Sequence, residues 1–170
     1  MVLPLLSAIT SGSTGRSISF VRRRVVAVTH SLARPTTREE WAHYHAIRRE
    51  VLWENRGRFN VYDESHPDEY KDGNFPLLLV YEAEPIGVVR IDIERDRAIF
   101  RRVAIRDEYQ RQGHGTALMQ LAERFAKDRG CTILYSCVDL AAVPFYEKCG
   151  FERDRNCLAS ANNVSMQKLL

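Results

Sequence analysis

The chain has 170 residues, 45% of them hydrophobic and 28% charged, which suits one domain with a sizeable core. No apolar run approaches the ~20 residues that a membrane-spanning helix needs. The formal charge of +3 originates in the first 38 residues, which hold six arginines and no acid; the rest carries 19 basic against 22 acidic residues, a balance that argues against a nucleic-acid surface.

Residues 1–24 read as an N-terminal extension, with Ser11-Gly12-Ser13-Thr14-Gly15 followed by Arg22-Arg23-Arg24. An arginine- and serine-rich, acid-free start resembles an organelle transit peptide; a flexible extension or an over-long reading frame is the plainer alternative. Residues 25–170 then form one domain. Val25 to Ala33 is the first expected strand, ended by Arg34-Pro35. Thr37 and Glu40 have the spacing of a capping box, and the helix they open carries Trp41, Tyr44, Ile47, Val51 and Leu52 on one stripe. Residues 54–75 are polar and irregular, with a short helical turn near Asp68. Leu77 to Tyr81 and Ile86 to Ile93 flank Ala83-Glu84-Pro85 as a hairpin, and Ala98 to Ile105 forms the next strand.

A glycine turn follows, then a helix from Thr116 to Ala126 whose apolar stripe is Ala117, Leu118, Leu121, Ala122, Phe125 and Ala126. Gly130 ends it, Cys131 to Val138 reads as a buried strand, and Pro144 fits the first turn of a helix running from Ala141 to Gly150. A last strand takes Val164 to Leu169. Strands first, then helix and strand alternating, give a mixed α/β sheet with helices on both faces. Cys131, Cys137, Cys149 and Cys157 form no Cys-x-x-Cys pair, and no histidine stands at zinc-ligand spacing, so no metal site is expected. Free thiols fit a reducing compartment, and the cytoplasm is the expected location.

The glycine turn is the most informative stretch. An apolar strand ends at Val103-Ala104-Ile105, and Gln110-Arg111-Gln112-Gly113-His114-Gly115-Thr116 leads into the helix. The first N–H groups of a helix lack intrahelical partners and add to its positive dipole end, so a phosphate is the expected ligand. A nucleotide-hydrolysing loop would need Gly-Lys-Ser/Thr, and a dinucleotide loop a third glycine; neither is present. The pattern Gln/Arg-x-x-Gly-x-Gly/Ala resembles the pyrophosphate loop of the GNAT superfamily of acyl-CoA-dependent N-acyltransferases. A second segment, Asp139-Leu140-Ala141-Ala142-Val143-Pro144-Phe145-Tyr146-Glu147-Lys148-Cys149-Gly150-Phe151, resembles the superfamily's Asn-x-x-Ala-x-x-Phe/Leu-Tyr-x-Lys-x-Gly-Phe segment, in order and at the usual distance.

The resemblance implies a mostly antiparallel sheet splayed at the CoA site, and acetyl-CoA as acyl donor. The backbone of Val103, Ala104 and Ile105 would pair with the pantetheine arm. Gln110, Arg111, Gln112, Gly113, His114, Gly115 and Thr116 would hold the diphosphate, and Asp139, where relatives carry asparagine, would meet the CoA arm. The family counterpart of Tyr146 protonates the departing thiolate; an aromatic residue serving only its helix is the alternative. Phe145 can serve the core, which would leave Tyr146 pointing elsewhere. His114 reads more simply as a solvated loop histidine than as a base. Arg101 stands where several relatives carry a glutamate that, directly or through water, deprotonates the amine. Strand alternation groups Arg101 with Ile99 and Val103, and it puts Arg90 and Asp92 on one face, where Asp92 is either a base or half of a structural pair.

Asp63, Glu64, Asp68, Glu69 and Asp72 suggest an acidic wall favouring a cationic amine, though a solvated acidic loop would look the same. The partner expected is a small-molecule or peptide amine, and a homodimer is compatible with the chain. A non-catalytic acyl-CoA sensor is the rival function: Tyr146 favours the enzyme, Arg101 the sensor.

Overall fold

A computed structural model of the chain describes residues 29–155 and 162–170. The expectations for residues 1–24, for the first four residues of the Val25–Ala33 strand and for Cys157 lie outside them. Seven strands form one sheet: β1 (His30–Ala33), β2 (Asn74–Tyr81), β3 (Glu84–Glu94), β4 (Arg97–Ile105), β5 (Ile133–Asp139), β6 (Glu152–Arg153) and β7 (Asn163–Leu169). Their order is β1-β2-β3-β4-β5-β7-β6, and only the β4–β5 pair is parallel. Three helices pack on it, α1 (Arg38–Leu52), α2 (His114–Lys127) and α3 (Val143–Lys148).

Local sequence explains most boundaries. Thr37 Oγ1 accepts the Glu40 N–H at 3.2 Å, and Glu40 returns a carboxylate oxygen to the Thr37 N–H at 2.9 Å, so the expected capping box opens α1. The β2–β3 hairpin turns at Glu82 and Ala83, both with positive φ (49° and 69°), slightly ahead of the expected Ala83-Glu84-Pro85. α3 is shorter than expected because Leu140–Ala142 form a 3-10 turn, leaving Pro144 in the first turn of the α-helix. The helical turn near Asp68 spans Pro67–Glu69. β6, two residues long, carries no periodicity that could have announced it.

The two faces of the sheet differ. Against α2 and α3, residues such as Leu79, Ile91, Phe100, Leu118, Leu134 and Met166 form one continuous apolar core. Beneath α1 lies a smaller cluster of Tyr44, Ile47, Leu78, Val88 and Ala104.

One irregularity decides which residues go where. Val88 opposes Ala104 and Arg90 opposes Arg101, so Val89 faces two residues, Arg102 and Val103. This is a β-bulge, and Arg102 holds it in the left-handed region at φ 58°. The extra residue reverses the alternation expected for β4. Arg101 shares the α1 face with Arg90, while Val103 crosses to pack on the large core, contrary to the grouping of Arg101 with Val103.

Candidate functional site

β4 and β5 pair from Arg97↔Ile133 to Phe100↔Ser136 and then separate. Beyond that point β5 pairs only with β7, through Asp139↔Asn163, and β4 pairs only with β3, through Ala104 and Ile105. The strands therefore splay, and the backbone of residues 101–105 keeps one edge without a β5 partner.

The turn at the far end of β4 is built for backbone contact. Gly113 caps α2 at φ 90° and ψ −10°, no side chain caps the helix, and the first helical bond is Ala117 N–H to the Gly113 carbonyl at 3.1 Å. The N–H groups of His114, Gly115 and Thr116 are therefore left to an outside acceptor. A Cβ on Gly113 would meet nothing within 4 Å, so this glycine keeps open space before the helix. Gly115 differs: a Cβ there would come within 3.3 Å of the Phe145 ring, and its absence lets α2 approach α3. Gln110 and Gln112 spend their amides inside the turn, on the Ile105 and Glu108 carbonyls at 2.9 and 2.7 Å. Arg111 is exposed, with φ 61°.

His114 is not the solvated histidine expected. It is 6% exposed, its Nδ1 lies 2.7 Å from His30 Nε2, and the rings of Tyr81 and Tyr109 pack edge-on to it. Its side chain ties α2 to β1; any part it plays toward a ligand at the turn is left to its N–H.

Tyr146 departs from expectation as well, being 5% exposed and part of the large core rather than pointing away from it, while Phe145 is only partly buried. Burial pushes its phenol up to about 12. Ser136 Oγ lies 3.0 Å from the Phe100 carbonyl oxygen and 3.2 Å from the Tyr146 hydroxyl. A carbonyl can only accept, so the single Ser136 proton goes to Phe100 and the phenol proton points at Ser136 Oγ. Because Phe100↔Ser136 is the last β4–β5 pair, the Tyr146 hydroxyl sits at the apex of the splay. Ser136 was legible only as a hydroxyl inside an apolar strand.

Asp139 ends β5 and pairs with Arg56 from the turn after α1, and Asn55 from the same turn donates to Asp107 at 2.8 Å. That turn thus bridges the ends of β4 and β5. The Asp139 carboxylate accepts from the Arg56 guanidinium, with both side chains about half exposed.

On the α1 face, Asp92 is no free base. Its carboxylate accepts from Arg90 Nε at 2.8 Å and Nη2 at 3.1 Å, and from Arg101 Nε at 2.6 Å. Glu69, 1% exposed, accepts from the Tyr44 hydroxyl at 2.9 Å, Arg90 at 2.8 Å and Arg48 at 2.5 Å. Burial pushes its carboxyl up, but the Arg48 and Tyr44 hydrogen bonds and the Arg90 charge outweigh this and leave it below the ordinary range. Glu64 is held by Arg49 at 2.6 Å, Asp63 accepts from the Ser65 N–H and hydroxyl, and Asp68 lies 3.6 Å from Arg90. The expected acidic wall is therefore mostly neutralised by arginines that distant segments bring in.

These groups surround a cavity of about 250 Å³ whose walls include Arg48, Trp53, Tyr62, Asp68, Arg90 and Arg102. Sequence reasoning missed Arg48 and Arg102. The first had a signal, a charged residue four positions after Tyr44 on the buried stripe of α1; the second, fixed by the bulge, had none. Among the described residues no cluster of metal-binding side chains occurs.

Residues 29–151 match the acetyltransferase (GNAT) family. A Bacillus subtilis (strain 168) protein with the provisional name of an acetyltransferase is 26% identical over 110 residues, 62% of this chain and 71% of that one. Among solved structures, a Lactobacillus plantarum protein provisionally named an N-acetyltransferase superposes with a TM-score of 0.70 at 27% identity, covering 83% of this chain and 98% of its own. The PaiA N-acetyltransferase of Thermoplasma acidophilum, solved with coenzyme A, shares the fold with a TM-score of 0.65 at 17% identity, covering 84% and 99%.

Proposed function

The chain belongs to the acetyltransferase (GNAT) family, and we propose that it moves an acetyl group from acetyl-CoA to a primary amine of a small molecule or peptide by direct attack in a ternary complex. The observation that carries this is the splay: β4–β5 pairing ends at Phe100 and Ser136, directly beside the Tyr146 hydroxyl. The free edge of Val103, Ala104 and Ile105 would take the amide groups of the pantetheine arm. The diphosphate would lie against the N–H groups that open α2 beyond Gly113, with Arg111 adding charge from the rim.

The reaction forms a bond from nitrogen to the acetyl carbon and breaks the carbon–sulfur bond, sending an electron pair to sulfur. With a phenol near 12, complete proton transfer to a thiolate of pKa about 8.5 would be uphill by about 5 kcal/mol. The Tyr146 hydroxyl therefore acts while charge grows on sulfur, turning its proton from Ser136 Oγ to the leaving group. Such help is worth up to about 10²–10⁴-fold. The amine loses its own proton to solvent, because Asp92 is held between two arginines.

The test is release of CoA thiol with an amine panel, in wild type and in Tyr146→Phe. We expect kcat to fall about ten-fold or more while acetyl-CoA affinity changes little, as for an interaction used mainly in the transition state. An unchanged kcat removes Tyr146 from the mechanism. The commitment of Asp92 favours a second reading, an acyl-CoA sensor. Micromolar acetyl-CoA binding with no turnover on any amine would select it.

A further inference from the structure

The cavity beside the bulge holds guanidinium donors that its own acids do not use. Arg48, Arg90 and Arg102 line it with Asp63, Asp68 and Glu69, and Arg90 also meets Asp92, which Arg101 shares. Glu69 is shared by Arg48 and Arg90, and Asp92 by Arg90 and Arg101. Asp68, half exposed, reaches only toward Arg90. Arg102 forms no ion pair among the described residues; its guanidinium lies 5.1 Å over the Trp53 ring. Arg48 is 3% exposed, and its Nε–H is buried with no hydrogen-bond partner among the described residues. The Arg102 guanidinium thus stands in the cavity wall with donors that no acid among the described residues answers.

The location bears on chemistry. Arg102 stands two residues beyond Phe100, whose carbonyl anchors the Ser136–Tyr146 hydrogen-bonded chain. An anion held by Arg102 would lie on the α1 side of the sheet, beside the stretch of β4 that β5 leaves unpaired beyond Phe100. Asp63, the cavity's one carboxylate without an arginine partner among the described residues, complements a positive group on the same ligand.

We propose that the acceptor is an amino carboxylate of amino-acid type, its carboxylate held by the guanidinium of Arg102, and not a purely cationic polyamine. This rests on the acetyl-transfer reading above and names its substrate class. A guanidinium offers a carboxylate two parallel N–H donors, the strongest neutral-pH match for that group.

The test uses the full chain, acetyl-CoA and matched pairs differing only in the carboxylate: lysine with cadaverine, and phenylalanine with phenethylamine. Wild type should favour the carboxylate member by about ten-fold or more in kcat/KM, the size of one or two charge-assisted hydrogen bonds. Arg102→Gln should collapse that preference through KM, and Arg102→Lys should keep part of it. Equal or better use of the decarboxylated members, or a preference that survives Arg102→Gln, overturns the inference while leaving acetyl transfer intact. If no amine releases CoA thiol, the acetyl-transfer reading fails and calorimetric titration of the same pairs into the CoA-loaded protein decides the cavity alone. Arg102-dependent binding of the carboxylate members supports the anion site; its absence overturns it.

Discussion

Of the eight buried polar or charged side chains among the described residues, only His114 and Ser136 belong to the α2–α3 side of the sheet; His45, Arg48, Glu69, Asn74, Arg90 and Asp92 gather on the α1 side. The first side packs apolar residues and offers a ligand mostly backbone, at a glycine turn and a splayed strand edge. The second holds an ion network and offers side chains. A donor common to a family can be gripped by backbone groups, which tolerate sequence change. An acceptor particular to one protein has to be read by side chains, and those cost desolvation unless each finds a partner.

Removing Arg90 is the sharpest way to test that contrast. Arg90→Met leaves Glu69 and Asp92 short of a shared buried partner and should cost about 3–5 kcal/mol in urea unfolding. Leu118→Ala, an apolar lesion on the opposite side, should cost about 2–5 kcal/mol. The two differ in their pH dependence. Glu69 is held below its ordinary value of 4.5, so the stability it contributes is complete above that pH and lost as pH falls through the depressed value. The Arg90→Met deficit should therefore shrink in acid while the Leu118→Ala deficit persists. Parallel curves would mean that the ion network adds nothing specific.

Gly113→Val asks whether the donor side works through its backbone. It places a β-branched residue at φ 90°, in the space before the first N–H groups of α2, and should weaken CoA binding about ten-fold or more by calorimetry. Equal affinity in mutant and wild type would remove the turn from the binding site.

The smallest effect concerns the histidines. Burial, then the neighbouring His114 charge, lowers His30 below 6.5; burial first, with Arg48 opposing the pull of Glu64, lowers His45. Both shifts favour neutral imidazoles in the fold, so this stability is complete above pH 6.5 and declines as pH drops toward the depressed values. Thermal unfolding near pH 5.5 should give a lower Tm than near pH 7.5. His30→Phe should reduce the difference, since the His30–His114 contact then no longer titrates.

How much of this was legible beforehand follows from the distance between partners. The capping box of α1, the hairpin, the glycine turn and the helix after it rest on residues within a few positions of one another, and periodicity or turn chemistry displayed them. The face of Tyr146 was misjudged because two adjacent aromatics on a short helix look alike until the strand beneath shows Ser136 and the helix beside it places Gly115 against Phe145. His114 looked solvated because its partner, His30, lies 84 positions away.

What the sequence determined by itself was the kind of fold, the position of the glycine turn before α2 and the likeness to acyltransferases. Each depends on local backbone conformation, written in glycines, caps and apolar spacing. Only the tertiary structure decided which acids are free, which arginines are unanswered and where β4 and β5 part. Those properties follow from one extra residue in β4 and from charges far apart in the chain, such as Glu69 with Arg90, 21 positions on, and Arg56 with Asp139, 83 positions on. Electrostatic compensation is a property of positions in space, and spacing along the chain does not record it.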